Sequence, residues 1–443
     1  MTIARTICLG FLAVIAFGTI LLMLPISNTG GHWDSPIVAL FTATSAVCVT
    51  GLAVVDTGTH FSLWGQAFIM LLVQIGGLGY MTSTTFLLLV FRQKFDFRQK
   101  FAIQESFDRP FVQGSRNLIR SIIATTLVFE LLGIIIMLQP FSADYGSIRG
   151  FWLALFHSVS AWNNAGFGLF PDNIVGYQGS LPINFALTML IIFGGIGYQV
   201  IMELFNWVMS LRSPRTARLS LNFKVVTSMT AILLILGTVA YLITESQNPD
   251  TMKGLPPQTM VLVAWFQSVT TRTAGFNSID FGKMGDAAKL ITIALMFIGA
   301  SPSGTGGGIK TTTLRILLNC TRSTLRGSEQ VVMYGRTLSP SLILKAIAVF
   351  MGSGLTVTFS TVSLALIESG KFEFIDLLFE CVSAFGTVGL STGITAKFSA
   401  LGHLILILTM YVGRVGVLGL MAGILGEKPP SQLQYPEENL LVG

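Results

Sequence analysis

Charge is scarce in this chain. Asp, Glu, Lys and Arg make up 11% of its 443 residues, and 52% are hydrophobic, where an ordinary soluble domain is about 25% charged. That excludes a soluble globular domain. Cysteine is also sparse: Cys8, Cys48, Cys320 and Cys381 are scattered, with no metal-ligand spacing and no dense disulfide framework. The four histidines are scattered too, which argues against a metal enzyme. The net charge of +6 could suggest a nucleic-acid partner. The basic residues, however, sit in short connectors between apolar runs, so membrane orientation explains them and no nucleic acid is expected. What the chain does have is a series of apolar runs of about 18 residues or more, each long enough for a transmembrane helix. The first, about 7–25, follows a single Arg and lacks the form of a cleaved signal peptide, so it is read as a retained membrane helix.

One motif recurs four times: FTATSAVCVTGL (41–52), FHSVSAWNNAGF (156–167), FQSVTTRTAGF (266–276) and FECVSAFGTVGL (379–390). Each copy opens with Phe, passes a Ser or Thr, and closes on Gly51, Gly166, Gly275 or Gly389 followed by Leu or Phe. These glycines are 115, 109 and 114 residues apart, and the third copy is one residue shorter between Phe and Gly. A long apolar run precedes each copy (about 7–25, 118–140, 223–244 and 341–367), and another follows (about 63–91, 182–208, 288–314 and 401–425). The segment between is too short to span a bilayer and suits a re-entrant helix. The unit is therefore helix, short half-helix, irregular Gly-containing loop, helix. Irregular backbone at membrane depth survives only where protein buries it or where it lines a water-filled cavity. Four such loops at matching positions predict an all-α membrane protein built as a ring around one central pathway. The units are expected at 1–92, 113–211, 216–318 and 337–426, with a tail at 427–443.

The connectors 92–120, 212–224 and 315–336 hold 15 Lys and Arg in 64 residues, while the within-unit segments hold seven in 156. The positive-inside rule puts the connectors and both termini on the cytoplasmic side of a cytoplasmic membrane. The four loops then enter from outside. Each half-helix points its C-terminal dipole, about −0.5 charge, at the loop and favours a cation there. Asp34-Ser35, Pro256-Pro257, Glu373 and Asp376 supply N-terminal signals for these helices. Beyond each helix the chain must turn and expose carbonyl oxygens, which glycine permits. The residues before the glycines are Val49-Thr50, Asn164-Ala165, Thr273-Ala274 and Thr387-Val388. None is acidic, so a Ca²⁺ or nonselective pore is disfavoured. A ring of carbonyls suits a large, weakly hydrated monovalent ion, K⁺ before Na⁺.

The stretch SGTGGGIKTTT (303–313) has the composition of a phosphate-binding loop but not its spacing, because Ile309 separates Gly308 from Lys310. Its context is also wrong, since it follows the apolar run 289–301. The other units carry glycine clusters at comparable positions: Gly76-Gly77-Leu78-Gly79, Gly194-Gly195-Ile196-Gly197 and Gly413-Arg414-Val415-Gly416. The third unit's version contains Gly299, Ser301, Ser303, Gly304, Thr305, Gly306, Gly307 and Gly308, with Pro302 among them, and cannot sustain regular helix. A broken helix is expected in this unit, its middle forming a flexible loop below the four Gly loops that occludes the pathway and moves aside. Arg414 lies inside an apolar run, where a charge costs about 2.5–3.5 kcal/mol and needs a partner or water. It is expected to bond the 299–308 carbonyls, holding the loop shut and repelling cations. Lys310 is expected to face cytoplasmic water. Arg272 is expected to point away from the pathway, braced against a carboxylate such as Glu380. Glu130 and Glu203 have no assigned role.

The loops VTGL, NAGF, TAGF and TVGL, with their flanks, resemble the Trk/Ktr/HKT superfamily of potassium transporters, most closely its Ktr membrane subunits. The match runs along nearly the whole chain. The resemblance implies four pore units around one pseudo-fourfold pore, with filter carbonyls at Val49, Thr50, Gly51, Asn164, Ala165, Gly166, Thr273, Ala274, Gly275, Thr387, Val388 and Gly389. It implies an intramembrane gating loop at 299–310. Some plant relatives with Ser at the first filter position carry Na⁺; Gly at all four positions here favours K⁺. The resemblance also implies a homodimer in lipid, often Na⁺ stimulation, and a cytoplasmic ring of RCK-type, KtrA-like subunits that binds ATP or ADP. No Walker pair, phosphorylated-Asp motif or covalent cofactor site is visible in this chain. A potential of 100 mV gives about 2.3 kcal/mol per charge, enough for roughly fifty-fold accumulation through a passive gated path. The alternatives are a Na⁺ or mixed Na⁺/K⁺ relative, the pore subunit of an ATP-driven pump, and a membrane enzyme using 303–313 for a phosphate.

Overall fold

The computed structural model describes residues 3–79, 115–211, 219–328 and 330–426. Four long helices, Ile3–Met23, Ser115–Tyr145, Leu221–Glu245 and Pro340–Ile367, open the four units. Each is apolar and long enough to cross a bilayer. Their outward faces carry exposed Phe17, Ile135, Ile235 and Phe359, as lipid-facing surfaces do. The short helices are Pro36–Val47, Ser147–Trp162, Pro257–Thr270 and Phe374–Gly386. Proline opens the first and third, where its missing N–H costs nothing. The Phe that starts each sequence copy, Phe41, Phe156, Phe266 and Phe379, is fully buried in all four units. It fixes the short helix against its neighbours, which explains why the motif begins with an aromatic residue.

The second helices begin at Leu63, Leu181, Asp286 and Ala400. Ser62 and Ser399 cap two of them through hydroxyl oxygens that accept the Gly65 and Gly402 amides. Each second helix packs on the short helix of the next unit, and the fourth packs on the short helix of the first. The four units therefore close into a ring. The protein is an all-α, multi-pass membrane protein with four pore-unit repeats.

The sequence points to a broken helix in the third unit alone, but the second helix stops early in every unit. Leu63–Leu78 ends at Gly79, Leu181–Ile196 ends at Gly197 and Ala400–Val415 ends at Gly416, where φ is 77°, 96° and 82°. That left-handed region is open to glycine and costly for other residues. The continuations Tyr198–Ser210 and Val417–Leu425 leave at 99° and 93°. Gly197 and Gly416 are thus hinges, Gly79 shares their positive φ, and the third unit widens the break into a loop. The continuation of the first unit's second helix, most of the connector 92–120, residues 212–218 and the tail 427–443 lie outside the described residues.

Candidate functional site

At the C-terminal end of each short helix the backbone reverses through one left-handed residue: Val49 (φ 57°), Asn164 (57°), Thr273 (68°) and Thr387 (50°). Three of these are β-branched, for which this region is a true outlier. Such conformations cost about 1–3 kcal/mol each and cluster where function requires a particular backbone. The amide of the next residue then bonds back into the helix: Thr50 to Ser45 O, Ala165 to Ser160 O and Val388 to Ser383 O, each at 2.8 Å, and Ala274 to Thr270 O at 2.9 Å. The third copy reaches back four residues instead of five, which accommodates its missing residue.

Hydroxyls from the motif brace the loops. Ser45 Oγ accepts the Gly51 amide at 3.0 Å and donates to Leu52 O at 2.7 Å. Ser383 Oγ accepts the Gly389 amide at 3.1 Å, and Thr270 Oγ1 donates to Phe276 O at 2.6 Å. Bracing the loop is the task of the motif's recurring Ser or Thr at these three positions.

Gly51, Gly166, Gly275 and Gly389 all have positive φ, from 69° to 93°. They also meet one another. A Cβ on Gly51 would strike the Ala165 carbonyl; on Gly166, the backbone of Ala274 and Gly275; on Gly275, the Val388 carbonyl; on Gly389, the Thr50 carbonyl. The order runs first, second, third, fourth and back to first. Twelve residues separated by more than 330 positions of chain thus form one closed ring of backbone.

The third unit's loop lies between helices Asp286–Phe297 and Thr311–Leu325. Its ends are held together by Gly299 N–H to Ile309 O at 2.8 Å and by Ser301 Oγ with Thr311 Oγ1 at 2.9 Å. One side is pinned to the second unit, where Gly195 O accepts the Ser301 amide, Gly194 O accepts the Thr305 amide, and Tyr198 N–H donates to Ser303 O. Arg414 donates from Nη1 to Thr305 O and from Nη2 to Gly76 O. Lys310 Nζ donates to Gly306 O at 2.7 Å. Gly307 N–H donates to Thr387 Oγ1 at 2.8 Å, and Gly306 abuts Thr273 Oγ1. The loop therefore sits directly against the backbone ring, on the side of Thr273 and Thr387. A cavity of about 710 Å³ adjoins it, bounded by Phe11, Gly79, Tyr198, Thr305, Lys310 and Arg414.

Two charged groups differ from expectation. Lys310 is turned onto the loop rather than simply into water. Glu380 does not pair with Arg272: its oxygens accept from Ser391 Oγ, the Thr392 amide and Thr395 Oγ1 at 2.6–2.9 Å. Those groups follow Gly389 and lie closer to Glu380 along the chain, so the carboxylate orders the exit of its own loop. Arg272 is buried, with Nε and Nη1 lacking hydrogen-bond partners among the described residues. Glu203 accepts from the Ser220 amide and hydroxyl at the start of helix Leu221–Glu245. Glu130 is buried in Ser115–Tyr145, facing the amides of Gln74 and Asn163.

The "Cation transport protein" family model, TrkH, matches residues 9–425. A Ktr system potassium uptake protein B of Vibrio alginolyticus is 40% identical over 440 residues, covering 99% of this chain and 94% of that protein. The protein of the same name from Bacillus subtilis is 37% identical, covering 99% and 96%. A potassium/sodium uptake protein, NtpJ, of Enterococcus hirae is 35% identical, covering 99% and 97%. The crystal structure of the potassium transporter TrkH from Vibrio parahaemolyticus superimposes with a TM-score of 0.72 at 18% identity, covering 94% of this chain and 84% of that one. That likeness shows the fold.

Proposed function

The chain belongs to the TrkH family of cation transport proteins, and we propose that it takes up K⁺ across the cytoplasmic membrane through a gated, channel-like pore driven by the membrane potential. The closed ring of glycine-bearing loops carries this reading. Four short helices aim their C-terminal ends at that ring, and their partial negative charge favours a cation. Carbonyls of Val49, Thr50, Gly51 and their counterparts take the place of water around the ion. No acidic side chain is among the ring residues, so selection rests on backbone dipoles and suits K⁺.

In the same reading, Gly299–Lys310 with Arg414 is the gate. Arg414 and Lys310 hold two successive loop carbonyls, and their charges repel a cation entering the inner cavity. The basic connectors and both termini face the cytoplasm in this reading, which the Lys and Arg distribution supports. The units run 1–92, 113–211, 216–318 and 337–426. A homodimer, stimulation by Na⁺, and regulation by a cytoplasmic nucleotide-binding ring of KtrA-like subunits complete the picture; two relatives are named as components of a Ktr system. A mixed Na⁺/K⁺ transporter is the second reading, favoured by the name of the Enterococcus hirae relative.

The deciding test is uptake of Rb⁺, K⁺ and Na⁺ into proteoliposomes under an imposed negative interior potential. Rb⁺ and K⁺ uptake well above Na⁺ uptake supports the first reading. Equal uptake of all three supports the second, and no uptake of any overturns both.

A further inference from the structure

Three consecutive loop residues each engage a different partner. Thr305 O accepts from Arg414, Gly306 O accepts from Lys310 Nζ, and Gly307 N–H donates to Thr387 Oγ1. The loop tip is thus oriented. Its carbonyls turn to the two cationic groups, and its amide turns to the backbone ring. Thr387 is fully buried and is the left-handed residue at which the fourth short helix reverses. It is the first of the fourth unit's three ring residues, on the side of the ring that the loop meets. Only the third and fourth units offer a hydroxyl at this position, because the counterparts of Thr273 and Thr387 are Val49 and Asn164. Those two threonines are the ones the loop touches. A Cβ on Gly306 would overlap Thr273 Oγ1, and one on Gly307 would come within 2.6 Å of Thr387 Oγ1.

We propose that the Thr387 hydroxyl has two exclusive partners: the Gly307 amide when the loop is closed, and the innermost permeant cation when the loop has moved away. A hydroxyl oxygen has two lone pairs and is as competent a cation ligand as a carbonyl. In the closed arrangement the hydroxyl accepts an N–H whose positive end occupies the direction a cation would take. Arg414 and Lys310 stand behind that amide, so a cation there would face an N–H dipole and two positive groups at short range. The loop and the innermost cation therefore compete for one oxygen. A cation arriving through the ring weakens closure, and closure empties the inner position. This inference rests on the transport reading above.

The test uses the full chain in proteoliposomes with Thr305→Cys as a reporter of loop position. The Thr305 Oγ1 is buried without a hydrogen-bond partner among the described residues, so the thiol replaces it without losing a bond to any of them. Maleimide labelling at that residue is read by peptide mass in K⁺ and in N-methylglucamine. The expected result is labelling about threefold to tenfold faster in K⁺, the ratio that one hydrogen bond of ordinary strength supplies. Thr387→Val and, independently from the loop side, Gly307→Ala raise labelling in N-methylglucamine to the K⁺ rate. Thr387→Ser keeps the difference. Labelling in Thr387→Val that retains the unsubstituted rate and ion dependence, with Rb⁺ flux present, overturns the shared hydroxyl alone. Loss of the ion dependence in Thr387→Ser does the same. Absence of Rb⁺ flux from the protein without these substitutions overturns the transport reading and this inference with it.

Discussion

Arg414 and Thr305 are 109 positions apart in the chain, yet the guanidinium Nη1 of one donates to the carbonyl of the other, while Nη2 reaches Gly76 O. One side chain thus ties together the second helix of the fourth unit, the loop of the third and the second helix of the first. Hydrogen bonds from a charged group contribute about 1.5–3 kcal/mol each. Replacing Arg414 by Gln should shift the loop toward its open position and raise Rb⁺ flux by about tenfold in the absence of any cytoplasmic partner. Partial deletion within 303–308 should raise it further. Flux in proteoliposomes that stays at the unsubstituted level in both variants would remove the gate assignment.

Gly51 has φ of 90° and faces the Ala165 carbonyl with no room for a Cβ. Gly51→Ser must therefore displace either its own backbone or that of the second unit's loop. A side chain forced into the left-handed region costs roughly 1–2 kcal/mol before any overlap is counted. The K⁺ over Na⁺ flux ratio is expected to fall about tenfold, and an unchanged ratio speaks against a filter role for this glycine.

The hinge glycines separate by surroundings. A Cβ on Gly416 meets nothing within 4 Å, whereas one on Gly197 meets the backbone of Pro302, Ser303 and Gly304. Gly416→Ala should cost only the conformational penalty, about 1–2 kcal/mol. Gly197→Ala should cost more and also disturb the loop, raising flux. Thermal unfolding in detergent ranks the two variants, and equal shifts would show that the contact at Gly197 carries no weight.

Glu368, at the end of helix Pro340–Ile367, accepts from Lys371 Nζ at 2.8 Å and from the Ser399 amide at 2.7 Å. Burial pushes its carboxyl up, but the hydrogen bonds from Lys371 and Ser399 outweigh burial and hold it below its ordinary value of 4.5. A lowered folded-state pKa adds stability that is fully present above the unfolded value and is lost as pH falls through the folded one. The midpoint of thermal unfolding should therefore drop as pH is lowered below about 4.5, and Glu368→Gln should flatten that drop. A variant with the same acid sensitivity would show that other carboxylates account for it.

The repeat was legible because its signals are local and recur: an aromatic opening, a hydroxyl in the middle and a closing glycine. Phe41, Phe156, Phe266 and Phe379 read as a pattern and are buried as one. The hinges were not legible as hinges. A G-G-x-G cluster in an apolar run serves close packing as readily as a bend, and only the φ values of Gly79, Gly197 and Gly416 separate the two. Charged partners were the hardest to read. A charge such as Arg414 in an apolar run needs polar groups nearby, but the Gly76 carbonyl comes from a unit more than 300 residues away. Arg272 and Glu380 looked like a pair because they occupy neighbouring units, while Glu380 is satisfied by residues 11 to 15 positions along its own chain.

Because the four units belong to a single polypeptide, each can change without imposing the change on the others. In an assembly of four identical subunits, four copies of Gly299–Lys310 would have to crowd against one backbone ring. Joining the copies end to end lets one quarter widen its break into a loop while the second and fourth keep a plain elbow. A lone residue such as Thr387 can likewise acquire a duty that Val49, its counterpart in the first quarter, has no chemistry to perform.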